Sequence, residues 1–342
     1  MQSQDEESVV SEKRLCLLCQ LVYVGSTRIC PTDGTPLVIV SDPLLGTVLP
    51  EGFRIISQIG RGAMGTVYRA EGLDGGEVVA VKVLHRSLSN DLEPVLRFKR
   101  EAELSSQLSH RNIVSVDSFG ILDDGRPYMT MDLVEGVCLD KLVSKEGAMR
   151  LERALPIFIQ LAQAISHAHS SQIVHRDIKL SNVMLLAGEG QDIVKLFDFG
   201  IAKIYHEDGL PSEDDSLTVT GQVVGSPLYM SPEQCLGQPL DNRSDIYSLG
   251  CLMHYVLMGQ PVFTAGNVMA LMQQQVSNQP RVALANSASS AASEAIQSII
   301  LVCLEKMPED RYQTMEEVCR ELVKTQRLLA SGECETKNHK VA

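Results

Sequence analysis

Three things are scarce in this chain of 342 residues. No apolar run reaches the roughly 20 residues that a membrane-spanning helix needs. The longest candidate, IYSLGCLMHYVLMG, is too short and carries His254, so it fits a buried core helix better. Positive charge is also short: 30 Lys and Arg against 43 Asp and Glu leave a net charge of −13. That balance disfavours a general nucleic-acid or anionic-membrane binder, although it leaves room for a local basic groove. Cysteine pairing is the third lack. Of 9 cysteines, Cys138, Cys235, Cys251, Cys303, Cys319 and Cys334 are scattered without rhythm. Free thiols in a reducing, cytoplasmic setting are expected. The opening MQSQDEESVVSEKR is polar and charged, unlike an export signal.

What is present suffices for a large core, with 44% hydrophobic residues and a length that suggests about two domains. No internal repeat is visible. Residues 1–14 are expected as a disordered leader, 15–40 as a compact cysteine-containing module and 41–52, SDPLLGTVLPEG, as a linker punctuated by Pro and Gly. From Phe53 the runs FRIISQIG, GTVYRAEG and EVVAVKVL are short, apolar or alternating, and separated by glycine-rich turns, which predicts strands. A helix is predicted from about Leu92 to Leu108, with Pro94 tolerable in its first turn. Two more strand-like runs, IVSVDSFGIL and RPYMTMDLV, flank the turn DDG. Beyond Gly136 helical periodicity takes over, in ERALPIFIQLAQAISHAHS, SDIYSLGCLMHYVLM and SEAIQSIILVCLEKM. Strands first and helices later predict an α+β chain with two lobes. The last stretch, 329–342, reads as a loose tail.

Four clusters carry chemistry. Gly60, Gly62 and Gly65 form G-x-G-x-x-G in IGRGAMGTVYRA, and the run continues into another strand rather than a helix. Such a glycine hairpin can close backbone amides over phosphates, with Val67 packing on a base, whereas a dinucleotide-binding turn would open a helix. Lys82 sits mid-strand in VVAVKVL, where a buried ammonium demands a carboxylate partner. The neighbouring helix offers Glu101 and Glu103; two residues apart, they face roughly opposite sides, and the local pattern does not choose between them. HRDIKLSN gathers His175, Arg176, Asp177, Lys179 and Asn182 in eight residues. In that group Asp177 suits the role of hydroxyl-proton acceptor, Lys179 can offset phosphoryl charge and Asn182 can hold a metal ion. Asp198 follows the apolar VKLF, where a carboxylate can bind Mg²⁺.

Taken in order, these motifs resemble the signature set of protein kinases over about Leu49 to Leu328. GRGAMGTVYRA, HRDIKLSN, DFGIAK, SPLYMSPEQ and RSDIYSLG are most similar to bacterial Hanks-type (eukaryotic-like) Ser/Thr kinases. The resemblance implies a two-lobed protein-kinase fold with an N-lobe at 53–135 and a C-lobe at 136–328. It implies ATP and Mg²⁺ as cofactors and transfer of the γ-phosphoryl group to Ser/Thr hydroxyls of protein substrates. It selects Glu101 as the partner of Lys82, makes Met131 the gatekeeper, gives adenine the backbone of Asp132 and Val134, and sandwiches the ring between Ala80, Val67 and Met184. Asn182 and Asp198 would bind Mg²⁺, Asp177 would orient the acceptor hydroxyl and Lys179 would reach the γ-phosphate. Lys179, and Ser226 in GSPLYMSPE, point to Ser/Thr rather than Tyr acceptors. Glu233 is expected to pair with Arg311, and Asp245 to brace the catalytic loop. Leu180 stands where the family usually has proline, and Ser231-Pro232-Glu233 is a variant of the usual APE. Thr218 and Thr220 match positions of autophosphorylation, with Arg176 as the phosphate's partner. A pseudokinase scaffold is the competing expectation, disfavoured because Lys82, Asp177, Asn182 and Asp198 are all present.

The front of the chain, CLLCQLVYVGSTRICPTDG, resembles two zinc knuckles of a ribbon. Cys16, Cys19 and Cys30 supply three donors, and Asp33 stands where a fourth cysteine might be expected. Zinc accepts a carboxylate oxygen in a tetrahedral set, and a metal-free ribbon is the alternative. The expected job of the module is regulation or the docking of a partner.

Overall fold

The computed structural model describes residues 13–19, 22–24, 27–40, 42–199, 226–282 and 291–338. The chain forms two compact units, Met1–Asp91 with Asp117–Leu133, and Leu92–Val116 with Val134–Ala342.

The first unit begins with an antiparallel sheet of β1 (Lys13–Cys16), β2 (Val22–Val24) and β3 (Leu37–Val40), in the order β2-β1-β3. Its core is minimal: Cys16, Cys30 and Leu37 are buried, with Cys19 and Tyr23 packed partly against them. Leu17 and Leu18 remain 66% and 70% exposed. A sheet this small cannot be sustained by apolar burial alone.

The next stretch departs from expectation. Residues 42–52 are not a linker: Leu44, Leu45 and Leu49 are buried in one core with Ile55, Tyr68, Val81 and Tyr128. Asp42 anchors the stretch, its Oδ1 accepting the Leu44 amide at 2.9 Å and its Oδ2 the Tyr68 hydroxyl at 2.7 Å. Pro and Gly mark turns there, but the three leucines carry apolar area that a linker would leave in water.

The lobe sheet follows with β4 (Phe53–Arg61), β5 (Gly65–Gly72), β6 (Val78–Leu84), β7 (Val116–Ile121) and β8 (Pro127–Asp132), ordered β4-β5-β6-β8-β7. Alternation sorts its two faces. Val79, Val81 and Val83 of β6 join Tyr68, Ala70 and Tyr128 in the core, leaving Ala80 and Lys82 on the opposite face.

The second unit is mainly helical. α1 (Leu92–Ser105) ends three residues before the predicted Leu108, and Pro94 lies in its first turn. A small sheet of β9 (Val137–Cys138), β10 (Val183–Ala187) and β11 (Asp192–Leu196) is ordered β11-β10-β9. α2 (Leu139–Glu146) and α3 (Leu151–Ser170) pack on it, and the short α4 (Pro232–Cys235), α5 (Asn242–Met258), α6 (Val268–Ser277), α7 (Ala291–Cys303) and α8 (Met315–Asn338) complete the unit. α5 is buried on all sides, which explains its nearly uninterrupted apolar run. His254 within it is buried, its ring nitrogens 3.2 and 3.1 Å from the Gln260 and Arg281 carbonyls. α8 carries the chain to Asn338, so most of the expected loose tail is helical. Polar composition does not stop a helix once its nucleus is formed and packed. Among the described residues no helix is long and apolar enough to cross a membrane.

Candidate active site and the cysteine cluster

In the first unit, the β4–β5 hairpin carries the three glycines. The Gly62 amide donates to the Gly65 carbonyl at 2.8 Å, and His85 Nε2 lies 2.8 Å from the Gly62 carbonyl. Only Gly65 is demanded by packing, since a Cβ there would sit 2.5 Å from the Val83 carbonyl oxygen. Gly60 and Gly62 have room for a Cβ, so bare backbone is what they contribute. Strand register places Val67 opposite Lys82, Lys82 opposite Met129 and Ala80 opposite Met131. Directly paired residues project to one face, so Val67, Ala80, Lys82 and Met131 share the face away from the core. Lys82 is 9% exposed, and Asp132 ends β8.

In the second unit, the two glutamates of α1 differ in burial. Glu101 is buried on α1, whereas Glu103 is exposed and lies 3.6 Å from Lys99. Val134 and Met184 are half-buried, Met184 pairing with Lys195 and Cys138 in the small sheet.

The HRDIKLSN cluster folds into one hydrogen-bonded loop. Lys179 Nζ lies 2.7 Å from Asp177 Oδ2. Asn182 Nδ2 donates to the Asp177 carbonyl at 2.9 Å and lies 3.5 Å from the Asp198 carbonyl. These contacts bring Asp177, Lys179, Asn182 and Asp198 together. Leu180, where the family usually has proline, opens the 3-10 turn Leu180–Asn182 and is buried in the core.

The loop is held from beneath by Asp245, which is fully buried. Its Oδ1 accepts the Arg176 amide and its Oδ2 accepts the His175 amide, both at 2.8 Å, while His169 Nε2 lies 2.8 Å from Oδ2. Burial alone would raise this carboxyl's pKa, but the bonds from His169 and the His175 amide hold it below the usual range. Burial pushes the His175 imidazole down, keeping it neutral, and its Nδ1 faces the Asp177 amide at 3.3 Å. Arg176 and Asp198 have φ of 65° and 55°, the left-handed region that side chains avoid. Surroundings must hold such residues against about 1–3 kcal/mol of strain each. For Arg176 they do so at both ends, because Gln234 Nε2 donates to its carbonyl at 3.0 Å. Ser231 and Gln234 in turn form a capping box at the start of α4. Arg311 grips Glu233 with two bonds of 2.8 Å, and Ser244 donates to the same carboxylate at 2.7 Å.

His169, His85 and Gln234 were not singled out by the sequence. The His-x-His spacing in AISHAHS was the one available hint for His169. Ser226 opens the 3-10 turn Ser226–Tyr229, whereas Thr218 and Thr220 lie outside the described residues.

The front module brings Cys16, Cys19, Cys30 and Asp33 together, with one donor atom of each within 4.8 Å of all the others. Cys19 Sγ is 3.5 Å from Cys30 Sγ, and Cys16 Sγ is 3.2 Å from Asp33 Oδ2. Bonds from Thr35 hold the Asp33 carboxyl well below the usual carboxylate range. Burial opposes ionisation of Cys30, but bonds from Tyr23 and the Thr32 and Asp33 amides outweigh it and lower the thiol's pKa.

Residues 53–323 match the family model for the protein kinase domain. The serine/threonine-protein kinase pkn3 of Myxococcus xanthus is 36% identical over 285 residues, covering 82% of this chain and 51% of its own length. Serine/threonine-protein kinase PknB of Mycobacterium tuberculosis is 37% identical over 279 residues, covering 81% of this chain and 43% of its own. The chain thus spans about half the length of these curated relatives. The crystal structure of the Mycobacterium tuberculosis PknI kinase domain superposes with a TM-score of 0.61 at 24% identity, covering 82% of this chain and 98% of that one, and supports the fold. The chain belongs to the protein kinase family, on its bacterial Hanks-type Ser/Thr branch.

Proposed function

We propose that this protein is a Ser/Thr protein kinase that transfers the γ-phosphoryl group of ATP to Ser or Thr hydroxyls of protein substrates. One observation carries the reading: Asp177 is held between Lys179 Nζ at 2.7 Å and the Asn182 amide, on a loop fixed by buried Asp245. In phosphoryl transfer the protein mainly positions groups and stabilises charge. Asp177 receives the acceptor hydroxyl's hydrogen and orients its oxygen for attack. Lys179 offsets charge on the phosphoryl group as it moves. Lys82 binds the α- and β-phosphates, and buried Glu101 is the carboxylate that the family places against it. Amides of the Gly60, Gly62 and Gly65 hairpin close over the phosphates. Val67, Ala80 and Met184 pack on adenine, Met131 guards the pocket behind it, and the backbone of Asp132 and Val134 bonds its edge.

Asn182 and Asp198 suit Mg²⁺, since both offer hard oxygen donors. Because Asn182 spends its Nδ2 on the Asp177 carbonyl, its Oδ1 is the atom that can meet a cation. When bound, Mg²⁺ neutralises phosphate charge.

Regulation through Thr218 and Thr220 belongs to the same reading. Arg176 Nε is buried with no hydrogen-bond partner among the described residues, and a phosphate would supply one. Zn²⁺ bound in the front module as a structural ion, partner docking there, and a cytoplasmic location suggested by cysteines scattered without pairing rhythm complete it.

The test is transfer of labelled phosphate from Mg·ATP to a generic protein substrate, after pre-incubation with ATP. The parent protein is expected to transfer and Asp177→Asn to lose nearly all of it. Nucleotide binding without transfer in the parent would establish the pseudokinase scaffold instead.

A further inference from the structure

The cysteine cluster permits a more specific statement, which rests on the zinc reading above. Asp33 has two carboxylate oxygens with different work. Oδ1 accepts the Thr35 amide at 2.9 Å, whereas Oδ2 lies closer to the cluster, 3.2 Å from Cys16 Sγ against 3.5 Å for Oδ1. The Cys30 turn is closed by the Gly34 amide on the Cys30 carbonyl at 3.0 Å and the Cys30 amide on the Thr35 carbonyl at 2.8 Å, so position 33 is fixed beside the sulfurs. Gly34 turns with φ of 76°, a value suited to glycine.

We infer that Zn²⁺ is held by Cys16, Cys19 and Cys30 through sulfur and by Asp33 through Oδ2 alone, with Oδ1 kept on the Thr35 amide as an outer-shell bond. Four protein donors close a tetrahedral zinc site and leave no position for substrate, so the ion is structural. Three thiolates and one carboxylate around Zn²⁺ leave two negative charges in excess. Donors face that excess: the Tyr23 hydroxyl lies 3.2 Å from Cys30 Sγ and the Cys19 amide 3.5 Å from Cys16 Sγ. Partners of this kind orient ligands and tune the metal. The module also needs the ion, since it buries three side chains of its own.

The experiment uses the full chain purified under reducing conditions, with zinc counted by elemental analysis and its shell read by X-ray absorption. The parent is expected to hold about one equivalent, with three sulfurs at about 2.3 Å and one oxygen at about 2.0–2.2 Å. Asp33→Cys should convert the shell to four sulfurs. Asp33→Ala should lose zinc to a chromophoric chelator more readily than an outer-shell defect allows, by more than about 100-fold. If Asp33→Ala unfolds the module and drops its zinc, the four-sulfur shell of Asp33→Cys still places position 33 at the metal. An Asp33→Cys shell still at three sulfurs, or Asp33→Ala with parental affinity, overturns the Asp33 ligand while zinc binding stands. Less than about a tenth of an equivalent in the parent overturns the zinc reading itself.

Discussion

Two polar clusters in this protein are built on opposite principles. The Asp177 loop rests on a fully buried carboxylate, Asp245, set in a helix that is buried on all sides. The Cys16–Asp33 cluster has strands of three or four residues and a core of three buried side chains. In the first case packing places the charges, and a ligand meets a ready-made site. In the second the donors outweigh the core, so the zinc ion proposed for them would itself serve as the core.

The sharpest way to break this comparison is to remove metal. A zinc chelator should abolish hydrogen-exchange protection over residues 13–40, where structural zinc contributes on the order of 10 kcal/mol. Protection around Asp245 should be unchanged in the same experiment. Next in size is a break in the packed unit. Glu233→Ala leaves the Arg311 guanidinium buried without its carboxylate, and urea denaturation should show a loss of about 3–5 kcal/mol. The zinc content of that variant should match the parent's. Asp177→Asn sharpens the contrast from the chemical side. Steady-state transfer should fall by about 10²–10⁴-fold, the usual share of a general base, with the urea midpoint nearly unmoved.

The smallest effect is expected from acid. Buried His175 has a lowered pKa, so its unfolded form takes up a proton first, near the ordinary pKa of about 6.5. Stability from keeping His175 neutral is therefore complete above about pH 6.5 and declines as pH falls toward the lowered folded value. Asp245, also lowered, adds its own loss only as pH drops below about 3.9, the unfolded carboxyl value. The urea midpoint at pH 5.5 should thus lie below that at pH 7.5.

Much of this was legible because motif spacing and strand alternation are local properties. VVAVKVL shows Lys82 in mid-strand, and period 2 puts it on the face opposite Val79, Val81 and Val83, the valines of the core. The difference between the two glutamates was not legible from the pattern: Glu101 is buried and Glu103 exposed, which depends on what packs against α1. His169 stayed hidden because its partner is 76 residues away in the chain. The tail differs from expectation because a polar stretch can continue a helix already packed, and α8 runs through it to Asn338.

Asp42, Leu44, Leu45 and Leu49 bear on where this kinase can be cut. The family match begins at residue 53, which invites truncation there. Such a cut would strip three leucines from the lobe's core and leave the Tyr68 hydroxyl without the Asp42 carboxylate. Its damage could be mistaken for loss of a regulatory module. A minimal catalytic fragment should keep Asp42, so the cysteine module and the catalytic lobe can be parted only within the single residue between Val40 and Asp42.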